Sequence, residues 1–264
     1  MAMTKYSILN EKERDEAIIK ILDTLLDDSL PFSGEHRRQQ WEKGWGENLK
    51  ENNLKPKYFG KYKVNRLNGK FVWGMSENYE QEMLYTIVDE MARRYLSDVS
   101  NICEFGCGTG HNLLRIREHN PDAYLIGLDW AKSSNELVQN YDIEGVNFDY
   151  FNPPQWDMPD DSGVITVASL EQTGTNFVKW VDYIIEQKPK IVVNIEPIPE
   201  LLDPKNLLDY LSIKYMEKRK YLSGYIVHLR KLEKEGKIKI LEARRSGIGS
   251  FYIDGYSIVV WKPL

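Results

Sequence analysis

The stretch Asn101-Ile102-Cys103-Glu104-Phe105-Gly106-Cys107-Gly108-Thr109-Gly110, followed by His111-Asn112-Leu113-Leu114-Arg115-Ile116, decides how this chain is read. A short apolar run ends in an acid and an aromatic ring. Three glycines then alternate with Cys107 and Thr109, and Leu113, Leu114 and Ile116 open a helical pattern directly afterwards. Glycine lets the chain turn tightly and lets a ligand approach the backbone, while a helix N-terminus offers N–H groups without intrahelical partners. A nucleotide-like ligand suits such a turn. The dinucleotide fingerprint asks for glycine at its first, third and sixth positions. Counted from Gly106 the sixth is His111, so nicotinamide or flavin dinucleotides are disfavoured.

Outward from this loop, short apolar runs alternate with helical patterns, the signature of a parallel sheet wrapped by crossover helices. Strands are expected at 101–105, 124–129, 146–151, 164–168, 190–195, 238–243 and 256–261, and helices at 111–119, 132–140, 176–187 and 204–235. About a dozen residues separate the last two strands, including Gly247, Gly249 and Gly255, so these strands should pair as an antiparallel hairpin. The expected fold is therefore α/β, with a mostly parallel seven-stranded sheet and a C-terminal antiparallel hairpin. Asp129 ends the second strand, where open α/β sheets form their ligand crevice.

Before the loop, the spacing of Ile8, Ala17, Ile18, Ile21, Leu22, Leu25 and Leu26 predicts an amphipathic helix over 8–28, and Met83, Leu84, Ile87, Val88 and Met91 predict another over 80–95. Between them Trp41, Trp45, Tyr58 and Phe59 follow no clean period. Residues 1–79 read as a helical, aromatic extension that could fold over the ligand end of the sheet as a lid, and 80–264 as the α/β domain.

The chain has 264 residues, with 35 Lys and Arg against 40 Asp and Glu, a net charge of −5. No basic field advertises a nucleic-acid partner. No apolar run of the roughly 18 residues a membrane span needs is present, and no leader pattern. A reduced cytosolic protein is expected, because the two cysteines, Cys103 and Cys107, both lie beside the loop. The four histidines show no metal-site spacing, and no metal is assigned.

The glycine spacing, with Glu104 before it and Tyr124-Leu125-Ile126-Gly127-Leu128-Asp129 as the next strand, resembles motif I of class I S-adenosylmethionine-dependent methyltransferases. The resemblance implies a Rossmann-like domain with S-adenosyl-L-methionine as cofactor. In that family the acid of motif I, here Glu104, fixes the glycine loop and approaches the methionine amino group. Gly106, Gly108 and Gly110 carry the loop, Asp129 accepts the ribose hydroxyls, and Trp130 follows it. The adenine is expected near the end of the third strand, with Asn152 first choice, Asp149 second and Asp157 third; Asn152 could equally open the turn into Pro153-Pro154. The run from Cys103 to Asn112, with Gly127-Leu128-Asp129-Trp130, is similar to bacterial methyltransferases of surface-polysaccharide and capsule biosynthesis. That implies a small-molecule acceptor, a sugar or a group linked to sugar or phosphate, and a monomer or homodimer.

Methyl transfer is an in-line displacement, so the protein must align the acceptor and, for a hydroxyl or ammonium, take a proton. Glu171 and Glu196 follow the fourth and fifth strands and are candidates for base or anchor. Alternatively they cap helices or pair with Arg244 or Arg245. In the 204–235 helix, Tyr221, Tyr225 and His228 fall at four- and three-residue steps and should share a face, either core or pocket wall. His228 is a third candidate base, since imidazole titrates near neutrality. Two readings compete with an active methyltransferase: a non-catalytic partner subunit with the same fold, and a nucleotide-dependent oxidoreductase or epimerase.

Overall fold

The computed structural model describes residues 5–264. The chain enters through β1 (Tyr6–Ile8), α1 (Glu11–Leu26), α2 (Arg38–Glu51), β2 (Val64–Leu67) and β3 (Lys70–Gly74). It continues as α3 (Tyr79–Met91), β4 (Asn101–Phe105), α4 (His111–Arg117), β5 (Tyr124–Asp129), α5 (Lys132–Gln139) and β6 (Glu144–Asn147). The second half is β7 (Ser162–Val167), α6 (Val178–Gln187), β8 (Ile191–Glu196), α7 (Leu207–Arg219), α8 (Tyr225–Lys234), β9 (Ile238–Arg244), β10 (Ile248–Gly249) and β11 (Ser257–Pro263).

Seven strands form one sheet in the order β6-β5-β4-β7-β8-β11-β9. The first five are mutually parallel, and β11 runs antiparallel between β8 and β9. The order reverses at β4. The chain winds outward through β5 and β6, then returns to the other side of β4 as β7, which opens a crevice beyond the C-terminal ends of β4 and β7.

Strand alternation sorts the core. Ile102 joins Ile165, Val193 and Ile195 in one apolar cluster with α3 and α4, whereas Cys103 and Phe105 join Ile126, Leu128, Val164 and Trp180 in the other. Both faces are covered. On the second face the buried Asn194 links four elements. Its side-chain oxygen accepts from Tyr225 Oη (2.7 Å) on α8 and Trp261 Nε1 (2.9 Å) on β11, and its Nδ2 donates to Thr166 Oγ1 (3.0 Å) on β7.

Residues 5–78 carry the expected N-terminal helix as α1, together with a small sheet whose pairing the sequence pattern did not specify. β1, β3 and β2 form an antiparallel sheet, and its fourth strand is β10, taken from the C-terminal connection, with Ile248 opposite Leu67. The β9–β11 pairing is antiparallel as expected, but its connection also serves this second sheet. Arg66 secures the junction by donating to the carbonyls of Leu208, Phe251 and Tyr252 and to Ser212 Oγ.

Three boundaries need correction. The 204–235 helix is two helices: Lys220 takes the left-handed conformation (φ 51°) and Gly224 another (φ 81°), so α7 stops and α8 starts afresh. Tyr221 therefore lies in the break and shares no helical face with Tyr225 and His228. The third strand is 144–147, not 146–151, because the Asp149 carboxylate accepts from Phe151 N (2.9 Å) and turns the chain there. Finally, Ile8 belongs to β1, and α1 begins after the Asn10–Glu13 capping box.

Replacing Asn194 with Leu should leave the Tyr225 hydroxyl and the Trp261 N–H buried without an acceptor. We predict a loss of about 2–4 kcal/mol in urea unfolding. An unchanged midpoint would show that water reaches these groups.

Candidate functional site

β4 carries Glu104 into the interior, where Oε1 accepts from Asn112 Nδ2 (2.8 Å) and Oε2 has no partner. Burial pushes this carboxyl up to about 8. The turn that follows needs glycine for space as well as conformation. Gly106 (φ 70°) would place a Cβ 2.4 Å from Ser169 Cβ, and Gly108 (φ 54°) would place one 2.8 Å from the Trp45 ring. The turn is clasped to β5: Gly106 N (2.6 Å) and Cys107 N (3.1 Å) both donate to the Leu128 carbonyl. Asp129 completes the clasp by accepting from Gly108 N (3.1 Å) and Ala131 N (2.9 Å), and burial raises it to about 6.

Above this turn lies a cleft floored by Gly106, Cys107, Gly108 and Asp129. Trp130, Phe148, Tyr150 and Phe151 give it an aromatic wall, with the Trp130 and Phe151 rings stacked at 5.8 Å. Trp41, Trp45, Pro56 and Tyr58 form the outer wall, and Trp41 stacks on Trp45 at 5.7 Å. Helix α2 is held over the turn by Glu42, whose carboxylate accepts from Lys132 N (2.7 Å) and Ser133 N (3.2 Å) at the start of α5. Thr109 Oγ1 also donates to the Leu54 carbonyl (2.6 Å).

The structure brings Gly106, Gly108, Asp129 and Trp130 together in the cleft lining, whereas Gly110 packs toward Val138 on α5 and Glu104 is buried outside the lining. Asp149 and Asn152 stand off the cleft lining. Asp149 pairs with Arg38 (3.3 Å), and the exposed Asn152 accepts from Lys179 Nζ (3.3 Å). Aromatic rings occupy the place where a polar reader of the base was expected. Tyr150 and Phe151 were readable only as strand residues, since they reach the cleft by the turn at Asp149.

After β7, Ser169, Gln172 and Thr173 also line the cleft, with Ser169 Oγ 3.0 Å from Tyr150 Oη. Glu196, fully buried at the end of β8, accepts from Ser169 N (3.1 Å), Leu170 N (3.0 Å) and Glu171 N (3.2 Å), so it shapes this turn from below. Burial lifts it to about 7. Glu171 is buried too, outside the cleft lining like Glu196, and accepts from Gln172 Nε2 (2.8 Å). It is raised to about 8, first by burial and then by Glu196, with Arg219 and Arg37 opposing. Arg244 and Arg245 do not pair with it: Arg244 meets Glu90 (2.7 Å), and Arg245 meets Asp209 (2.7 Å) and Asp254 (2.6 Å). His228 sits on α8 against Phe177 (ring centroids 5.6 Å), off the cleft, and burial lowers its pKa. The two arginines near Glu171 were not singled out from the sequence, because positions 37 and 219 meet only through the tertiary fold.

Among the described residues no group of three His, Cys, Asp or Glu side chains could hold a metal, and no helix is long and apolar enough to cross a membrane. Cys103 and Cys107 are free and buried.

No protein-family model matches the chain. It is 27% identical over 168 residues to a protein-lysine N-methyltransferase of Saccharomyces cerevisiae, covering 54% of this chain and 73% of that one. Among solved structures it superposes on human N-acetylserotonin methyltransferase in complex with S-adenosylmethionine (TM-score 0.52, 13% identity, 95% of this chain). The chain spans only 65% of that enzyme's length. It also matches the N-methyltransferase NodS of Bradyrhizobium japonicum, in complex with S-adenosylhomocysteine (0.52, 9%, 83% of this chain and 98% of that one). A third match is the [4+2]-cyclase SpnF (0.57, 12%, 88% and 96%). At these identities the likeness concerns the fold, which supports more than one chemistry. The chain has the class I S-adenosylmethionine-dependent methyltransferase fold.

Proposed function

We propose that this chain binds S-adenosylmethionine over the glycine turn and methylates a small polar acceptor presented beside Glu171. One observation carries the reading: a buried acid with an unpartnered oxygen, Glu104, lies under a turn where two glycines leave no room for a Cβ, with Asp129 clasping that turn from the next strand. These groups fit the cofactor. Glu104 Oε2 suits an ammonium, Asp129 has lone pairs left for ribose hydroxyls, and the flat rings of Trp130 and Phe151 suit a purine. When bound, S-adenosylmethionine supplies an electrophilic methyl group on a sulfonium.

The chain's own contribution is alignment and proton handling. Glu196 holds the turn that carries Glu171, and Glu171 accepts the acceptor's proton at a carboxylate oxygen. Residues 1–79 serve as the cover: Trp41 and Trp45 exclude water while 80–264 forms the body of the enzyme. A sugar-linked acceptor of surface-polysaccharide synthesis is the narrower reading, supported by the likeness around 103–130. The yeast relative favours a second reading, a protein lysine. The two guanidiniums near Glu171 oppose it, because they repel an incoming ammonium.

S-adenosylhomocysteine should bind in the micromolar range and NAD not measurably, and Asp129→Ala should weaken that binding by about 1.5–3 kcal/mol. Calorimetry in which NAD binds and S-adenosylhomocysteine does not would overturn the assignment. A ligand ammonium beside Glu104 should ionise that carboxyl. Affinity for S-adenosylhomocysteine should therefore rise from pH 6 to about 8, with proton release visible in buffers of different ionisation enthalpy and lost in Glu104→Gln. Proton release unchanged in that variant assigns it to another group.

Turnover should follow the ionised form of Glu171, increasing with pH and levelling above about 8. Glu171→Gln should lower kcat about 10²–10⁴-fold with little change in cofactor affinity. A raised KM at unchanged kcat would make Glu171 an anchor instead, and wild-type constants would remove it from the mechanism.

A further inference from the structure

Elsewhere in this chain the buried Arg66 and the half-buried Arg245 are surrounded by acceptors. Arg66 donates to Leu208 O (2.6 Å), Ser212 Oγ (2.7 Å), Tyr252 O (2.9 Å) and Phe251 O (3.3 Å), and Arg245 pairs with two aspartates. Arg37 and Arg219 differ. Arg37 is 8% exposed, donates from Nε to Gln40 Oε1 (3.0 Å), lies 5.7 Å from the Trp41 ring centre, and has an Nη1 with no partner. Arg219 donates to Tyr215 Oη (3.1 Å) and lies 5.1 Å from the Tyr221 ring centre, and its buried Nε has no partner. Among the described residues no carboxylate lies within ion-pair distance of either.

The two belong to one locality. Ser33 N donates to the Arg219 carbonyl (2.8 Å), which holds the segment before α2 against the end of α7. Arg37 packs on Trp41, a wall of the cleft over the glycine turn, and Arg219 on Tyr221, a wall of a second cavity bordered by Ser33. Thr173, two residues past Glu171, lines both. Ser33 Oγ and Gln172 Oε1 are also buried without partners. Both guanidiniums lie near enough to draw the Glu171 carboxyl down against its burial, without pairing with it. A charge withdrawn from water without a partner is unfavourable until something pairs with it.

We propose that this junction is an anion subsite: Arg37 and Arg219 hold a carboxylate or phosphate group of the acceptor and so set its nucleophile beside Glu171. Arginine suits this role because its planar fork binds either oxyanion in two-point fashion. The proposal rests on the reading of Glu171 as the acceptor end.

The test is a calorimetric titration of the full chain, saturated with S-adenosylhomocysteine, using inorganic phosphate, D-glucuronate and D-glucose. At least one of the two anions should bind saturably and glucose should not. Binding of phosphate alone identifies a phosphorylated acceptor, and binding of glucuronate alone a carboxylated one. Arg37→Gln and Arg219→Gln should each weaken the anion about tenfold or more while leaving S-adenosylhomocysteine affinity unchanged. Their melting temperatures should not fall, since an unpaired buried charge does not stabilise the fold. No binding of either anion, or equal binding in both variants, overturns the proposal, as does a drop in melting temperature with anion binding intact. If S-adenosylhomocysteine itself fails to bind, the titration is run on the chain alone. Arginine-dependent anion binding then supports the subsite while the cofactor reading falls.

Discussion

The site depends on the clasp between the glycine turn and the end of β5. Asp129 accepts from Gly108 N and Ala131 N, while the Leu128 carbonyl takes Gly106 N and Cys107 N. Backbone groups at a tight turn must find partners when buried. Here they find them on the neighbouring parallel strand, so the turn is fixed relative to the strand end rather than left as a loop. Parallel pairing in register, Glu104 opposite Gly127 and Phe105 opposite Leu128, makes this possible because it brings both strands to the same edge.

The same geometry explains why four carboxyls, Glu104, Asp129, Glu171 and Glu196, are buried at that edge, each raised chiefly by burial. Buried acids without full compensation detract from stability, and they are tolerated where a ligand is to meet them. Away from the edge the chain handles charge differently. Asp89, packed between Arg115 (2.6 Å) and His119 (3.0 Å), is held below its ordinary range despite its burial. Within the edge the roles divide. Glu196 is consumed by three backbone N–H groups, whereas Glu104 and Glu171 retain capacity for something from outside.

The N-terminal segment turns an open crevice into a walled cleft. Glu42 caps α5, Arg66 ties β2 to α7 and the 251–252 turn, and β10 closes the small sheet, so the cover is anchored at both ends. Trp41 and Trp45 therefore reach a cleft whose floor lies some way along the chain.

Much of this was legible in the sequence. Periodicity and the Glu-x-Gly-x-Gly-x-Gly spacing are local properties, and they determined the parallel sheet, the glycine turn and the acid that ends β5, because strand alternation and glycine's freedom at positive φ act over a few residues. Local signals also misled where two of them merged. The apolar pattern ran through Lys220 and Gly224 as if one helix continued, although a left-handed residue ends α7 there. What only the tertiary structure decided involves residues far apart along the chain. The pairing of Ile248 with Leu67, the aromatic walls formed by Phe151 and Trp41, and the approach of Arg37 and Arg219 to Glu171 have no signature in spacing. Each depends on which surfaces the packed sheet leaves available, and a charge without a partner can be recognised only once all its neighbours are in place.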